Sequence, residues 1–256
     1  MRKNALIIGG SSGIGLATVK KLAQENFNVF VIHRDRRQDA ATFQEVLQKL
    51  SDEHKGIYKA FNADATNAEK IDACLEEIAT SLNGAFHLVL HAVSRGNLKP
   101  LVGESAKLSA QDMALTIDAM GINFHTWVSR LLEKNLIIEG SRILALTSEG
   151  NKKIWEGYGA VASAKAALEN IANYLAVELA PKGMTVNIIQ AGVTDTPSLR
   201  LIPGSDVLIS DTEKRNPFRR MTQPEDVANF IFLLSLPEAN WVNGSLIHVD
   251  GGEHLI

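Results

Sequence analysis

The 256-residue sequence predicts a single α/β domain, a Rossmann-type doubly wound parallel sheet of about seven strands with helices on both faces. Three observations carry this expectation. Short apolar runs of strand length alternate with helical stretches almost without a break. The first run ends in a glycine-rich turn that opens a helix. No internal repeat, low-complexity tract or Pro/Gly-rich linker divides the chain, so residues 1–256 read as one unit. Such alternation needs parallel strands joined by right-handed crossovers, which leaves few other topologies.

Taken in order, the strand-like runs are ALIIG (5–9), NVFVI (28–32), GIYKAF (56–61), FHLVLHA (86–92), RILALT (142–147), TVNIIQ (185–190) and SLIHV (245–249). Helical stretches fall at 14–25, 40–51, 67–82, 109–134, 159–180 and 224–235. The spacing fails once, at residues 193–223. A connection that long is usually a functional lid or a disordered loop. Its Leu, Ile and Phe content points to a flap over something apolar, with Leu199, Leu201, Ile202, Val207 and Leu208 as contacts.

Composition narrows the function class. The chain is 45% hydrophobic and 21% charged, values of a globular protein with a sizeable core. A net charge of −3 gives no domain-wide basic footprint for nucleic acid. The one cysteine, Cys74, sits in a helical pattern as a structural thiol and excludes an intrachain disulfide. The opening MRKNALIIGG runs straight into a strand, and its apolar run is too short for a leader or a membrane span. A cytoplasmic protein with neither membrane nor nucleic-acid partner is expected. No His, Cys and carboxylate cluster has metal-ligand spacing, so no metal is expected.

The turn IIGGSSGIGLA gives Gly9, Gly13 and Gly15 the spacing G-x-x-x-G-x-G. Glycines there allow a tight turn and a close approach of a pyrophosphate to the backbone. The helix that follows offers free N–H groups, and Ser11 and Ser12 add hydroxyls. Gly9, Ser11, Ser12, Gly13, Ile14 and Gly15 are therefore cofactor-binding candidates.

This turn resembles the glycine motif of the short-chain dehydrogenase/reductase superfamily, and the resemblance runs the length of the chain. Asn62-Ala63-Asp64-Ala65 is similar to the segment that holds the adenine, which implicates Asp64 and Ala65. Val249-Asp250-Gly251-Gly252 resembles the family's C-terminal V-D-G-G. Ala191-Gly192-Val193-Thr194-Asp195-Thr196 resembles its nicotinamide-side loop, with Ala191 in place of a proline, and implicates Gly192, Thr194 and Thr196. Homotetramer formation is a further implication of the family alone.

Cofactor choice turns on the end of the second strand. An acid there would accept the ribose hydroxyls of NAD, but the position reads His33, followed by Arg34, Asp35, Arg36 and Arg37. Cationic side chains suit a 2′-phosphate instead. His33, Arg34 and Arg37 thus favour NADPH over NADH, with Arg34 first. The alternative is a solvated loop whose arginines pair with Asp35 and Asp39.

The stretch YGAVASAK (158–165) holds the chemistry. Most of the superfamily places its catalytic Tyr four residues before the Lys, where this chain has Val161. Tyr158 lies seven residues before Lys165, within about 20° of the same helical face but about 10 Å along it rather than about 6 Å. Conjugate reduction of an enoyl thioester adds hydride at Cβ, while charge develops on the thioester oxygen further along. A donor for that oxygen must stand further from the nicotinamide. The Tyr-x6-Lys spacing, NPFRRM (216–221) and VDGG look most like the NADPH-dependent enoyl-acyl-carrier-protein reductase III branch of fatty-acid synthesis. By that resemblance Lys165 holds the nicotinamide ribose and Tyr158 hydrogen-bonds the thioester carbonyl and its enolate, the phenol's anion being stabilised by the adjacent ammonium and the oxidised nicotinamide.

Other positions depart from the usual pattern. Leu90-His91-Ala92-Val93 replaces Asn-Asn-Ala-Gly, leaving His91 and Ala92 beside the cofactor. Gly121 replaces a relay Asn, with Asn123 two residues away. Ser148 matches the substrate-orienting Ser, though Ser at a strand end also serves local backbone bonding. The expectation is an NADPH-dependent reductase of an enoyl thioester on acyl carrier protein or coenzyme A, with Tyr158, Lys165 and Ser148 catalytic. The rivals are a 3-oxoacyl or other carbonyl reductase using Ser148 and Tyr158, and a non-catalytic NADPH-binding sensor.

Overall fold

A computed structural model describes residues 2–103 and 107–256; Met1, the first residue of the expected domain, lies outside them. Seven strands form one parallel sheet in the order β3-β2-β1-β4-β5-β6-β7: β1 Lys3–Ile8, β2 Phe27–His33, β3 Tyr58–Asn62, β4 Phe86–His91, β5 Arg142–Ser148, β6 Thr185–Ala191 and β7 Leu246–Val249. Strand order reverses between β1 and β4, and the crevice above their carboxyl ends is where such sheets bind ligands.

Both faces are covered. On one, α3 (Ala68–Ser81), α5 (Asn123–Glu133) and α6 (Gly159–Leu179) press Ile71, Leu75, Trp127, Leu131, Leu168 and Ala172 onto Leu6, Phe30, Val89 and Ile143. On the other, α1 (Gly13–Gln24), α2 (Arg37–His54) and α9 (Pro224–Leu234) bury Val19, Leu22, Leu47, Val227 and Ile231 against Ile7, Val31, Leu90 and Leu144. Strands buried on both faces explain the uninterrupted apolar runs of the sequence. Cys74 is buried in this packing, and burial raises its pKa, consistent with an unreactive structural thiol. No helix among the described residues is long and apolar enough to cross a membrane.

Two regions differ from the sequence expectation. The stretch expected as one helix over 109–134 is α4 (Ala110–Ile117), a π turn at Asp118–Ile122, and then α5. Gly121 lies in that turn, where a Cβ would come within 3.0 Å of the Ala164 carbonyl oxygen, so the turn packs closely on α6. Residues 193–223, expected as a flap with no element assigned, hold α7 (Pro197–Arg200) and α8 (Ser205–Arg215). Thr196 caps α7, its Oγ1 accepting the Leu199 amide. Of the apolar residues there, Leu199 is buried, whereas Leu201 and Val207 are exposed.

Candidate active site

The glycine turn bends where a side chain has no place. Gly9 has φ +95°, and a Cβ on it would stand 2.7 Å from the Ala92 carbonyl oxygen. Gly13 has φ +51°, and its Cβ would lie 2.9 Å from the Thr196 methyl. The turn is thus pressed between the end of β4 and the loop after β6. Ser12 takes the N-cap position of α1 without bonding the helix, and no acid occupies the first turn. Free amides and a positive dipole end over the switch point fit a pyrophosphate.

The ends of β2 and β3, expected from the sequence to meet the adenosine, are already wired by charge. Arg34 and Arg95 both reach Asp64 Oδ2, at 2.9 and 3.0 Å. Burial works to raise the Asp64 pKa, but hydrogen bonds from the Thr66 hydroxyl and amide, and then from Arg95, overcome it and lower it to about 2. Asp35 does not pair with the arginines: its carboxylate meets His33 Nδ1 at 2.7 Å and accepts Ser11 Oγ at 3.1 Å. His33 is buried, edge-on to Phe43 at 5.2 Å, so its ring turns away from the surface. Arg37 begins α2 and is exposed. Sequence reasoning missed Arg95, a lone arginine in a connection with no motif, and the inward role of Asp35.

At the end of β4, His91 is fully buried, with Nε2 3.1 Å from Asn123 Oδ1. Burial, opposed by the Asn123 bond, lowers its pKa to about 3, so it is neutral and cannot serve as a base near neutral pH. Asn123 also donates to the Ala65 carbonyl at 2.7 Å, joined there by Trp127 Nε1. Asn123 therefore braces the loop that follows β3.

Beyond the switch point, Ser148 and Tyr158 come together with hydroxyls 3.1 Å apart. Tyr158 is the N-cap residue of α6, one position before the helix proper. Lys165 is buried within α6 and donates from Nζ to the Leu146 carbonyl at 2.8 Å. Burial raises the Tyr158 pKa, with only the Ser148 bond opposing it. The phenol is therefore a protonated donor. Burial lowers the Lys165 pKa to about 8, with the charge of Glu169 acting the other way. Val161 fills its position by packing with Met120 and Ala164, against Gly96, and presents no polar group.

The loop after β6 and residues 193–223 are held at several points. Thr194 is buried and bonds the Gly192 carbonyl at 2.8 Å. Trp155, just before Tyr158, donates to the Pro203 carbonyl at 3.1 Å, linking the Tyr158 loop to the segment between α7 and α8. Glu253 accepts the Val193 amide at 3.1 Å and Arg215 of α8 at 2.5 Å, and Arg215 also reaches Glu149 at 3.2 Å. Asn216 donates to the Asp250 carbonyl at 2.9 Å.

The sequence profile of a family described as enoyl-(acyl carrier protein) reductase matches residues 9–254. A Bacillus cereus protein named enoyl-(acyl-carrier-protein) reductase (NADH) FabI is 34% identical over 193 residues, 75% of this chain and 74% of that protein. An Escherichia coli protein named cyclic-di-GMP-binding biofilm dispersal mediator is 31% identical over 252 residues, 97% of this chain and 96% of that one. A short-chain dehydrogenase from Burkholderia cenocepacia, solved in complex with NADP, superposes with a TM-score of 0.83 at 25% identity, covering 98% of this chain and 97% of that one.

Proposed function

Because the chain belongs to the enoyl-(acyl carrier protein) reductase family of short-chain dehydrogenase/reductases, we propose that it reduces the 2,3 double bond of an enoyl thioester with NADPH. The carrying observation is the placement of the phenol. Val161 is buried and apolar where a ketone reductase would hold its donor, while the protonated Tyr158 hydroxyl stands beside Ser148. The dinucleotide, when bound, supplies the hydride that adds to Cβ. Tyr158 donates a hydrogen bond to the thioester oxygen as negative charge develops there, Ser148 orients that phenol, and a proton from water at Cα completes the reduction. Lys165 holds the nicotinamide ribose. Gly9 to Gly15 receive the pyrophosphate, with Thr194, Thr196 and Gly192 on the nicotinamide side and Asp64, Ala65, His91 and Ala92 around the adenosine.

NADPH is favoured because no acid side chain of β2 faces the ribose and Arg34 and Arg95 bring two cations to the adenosine end. A 2′-phosphate would compete with Asp64 for those guanidinium groups. Residues 193–223 act as the substrate lid, with exposed Leu201 and Val207 meeting the acyl chain. Tyr174 and Val177, exposed on α6, support self-association through that helix, as a homotetramer requires.

The Ser148–Tyr158 bond would also suit a carbonyl reductase, so the test pits the two substrates against each other. Purified protein and NADPH are mixed with a trans-2-enoyl thioester or a 3-oxoacyl thioester, and loss of nicotinamide absorbance is followed. Oxidation with the enoyl substrate is expected. Turnover of the oxo substrate alone would sink the enoyl reading, and no turnover of either would leave a dinucleotide-binding sensor.

A further inference from the structure

Glu169 sits one helical turn beyond Lys165 on α6, and none of the roles assigned above uses it. Its Oε1 accepts hydrogen bonds from Thr147 Oγ1 and Asn151 Nδ2, both at 2.6 Å. These donors flank Ser148: Thr147 precedes it on β5, and Asn151 closes the short turn Glu149–Asn151 that follows. A single carboxylate oxygen thus ties both sides of Ser148 to the helix that carries Lys165.

The charge on Glu169 is left over by these bonds. Both donors are neutral, and among the described residues no cation lies within ion-pair distance of it. Lys165 presents the complementary situation, since its ammonium is buried and, among the described residues, directly bonded only to a neutral carbonyl, that of Leu146. A buried cation without a counter-charge tends to lose its proton. The other titratable neighbours supply no negative charge: His91 is neutral, and burial keeps the Tyr158 phenol protonated.

We propose that Glu169 is a positioning residue, the counter-charge that keeps Lys165 an ammonium and the strut that fixes Ser148 beside Tyr158. This inference rests on the proposed function only for Lys165 and Ser148 as site residues, and it is independent of the substrate. Glu169→Gln preserves an acceptor for Thr147 and Asn151 but removes the charge; Glu169→Leu removes both.

The test follows the ¹³Cε signal of Lys165 across pH in the full-length, cofactor-free protein, the signal being assigned by its loss in Lys165→Met. In Glu169→Gln the titration midpoint is expected to fall by about one pH unit, a tenfold lower ratio of ammonium to amine at a given pH. The Glu169→Asp variant should recover at least half of that fall. A midpoint in Glu169→Gln indistinguishable from that of the wild type would overturn the proposal, and so would an equal fall in the Asp and Gln variants. Should Glu169→Leu fail to fold, the Gln and Asp titrations decide alone. A shifted midpoint in a protein that reduces no enoyl thioester would sink the substrate assignment and leave the Glu169–Lys165 coupling standing.

Discussion

Removing the Glu253 carboxylate should loosen residues 193–223 from the rest of the molecule, and its two bonds set the size of the effect. Glu253 is 2% exposed and holds the Val193 amide at the start of that segment and Arg215 near the end of α8. In Glu253→Ala the Val193 amide loses its acceptor, at about 1–3 kcal/mol, and a charge-assisted bond worth about 1.5–3 kcal/mol is lost. Arg215 is partly exposed and keeps Glu149, which discounts the second contribution, so a net loss of about 3 kcal/mol is expected. Glu253→Gln should behave differently. Burial raises the Glu253 pKa despite the adjacent Arg215, so the site stabilises the ionised form poorly. A neutral side chain that still accepts the amide should cost under about 1 kcal/mol. Urea unfolding gives these differences, and limited proteolysis locates them, with cleavage between 197 and 215 appearing first in the Ala variant. An Ala variant within about 0.5 kcal/mol of wild type, or equal losses for Ala and Gln, would refute the reasoning.

Three further outcomes follow from the site. Tyr158→Phe removes the donor to the thioester oxygen, so kcat should fall about 100-fold while NADPH affinity, measured by fluorescence titration, stays unchanged; an unchanged kcat removes the role. Lys165 has its pKa lowered from 10.5 to about 8, so dinucleotide affinity should weaken as pH rises through about 8. Its contribution to stability has the opposite sense: between those two values the unfolded chain binds more protons, so it increases with pH and is lost as pH falls through about 8. Binding and unfolding titrations from pH 7 to 10 separate the two trends, and Lys165→Met should abolish both. Arg34→Ala should weaken NADPH about tenfold and leave NADH unchanged in paired kcat/KM measurements; equal effects on both cofactors would remove Arg34 from the choice.

The sheet and most helices were legible because the inner strands β1, β2, β4, β5 and β6 are largely buried on both faces, so their runs are mostly apolar. The glycine turn was legible for a related reason, since Gly9 and Gly13 adopt conformations that other residues resist. What stayed hidden depends on partners distant in sequence. Nothing near Arg34 announces that Asp64, thirty residues on, engages it, and nothing in the short 149–157 connection announces that Trp155 will meet Pro203. The π turn was hidden because its residues keep a helical apolar pattern, and the close packing of Gly121 on Ala164 is a contact distant in sequence. Within the site, Ser148 and Tyr158 were both implicated by the family resemblance, whereas their electrostatics were not legible. Burial, which no spacing encodes, leaves the phenol protonated and brings the lysine close to its titration point.

That electrostatic outcome bears on why the phenol stands where it does. Val161 is not an empty position: its side chain fills the space that Gly96 leaves, beside Met120 and Thr116. A phenol at 161 would have to displace that packing, so the four-residue spacing is closed off sterically as well as by residue type. At 158, outside the first turn of α6, the ring instead lies against Gly150, where a Cβ would collide with it, and its hydroxyl reaches Ser148. The same loop, 149–157, is held by Glu169 through Asn151 and by residues 193–223 through Trp155 and Arg215. The Ser148–Tyr158 contact, the Glu169 carboxylate and the attachment of residues 193–223 therefore converge on one short connection.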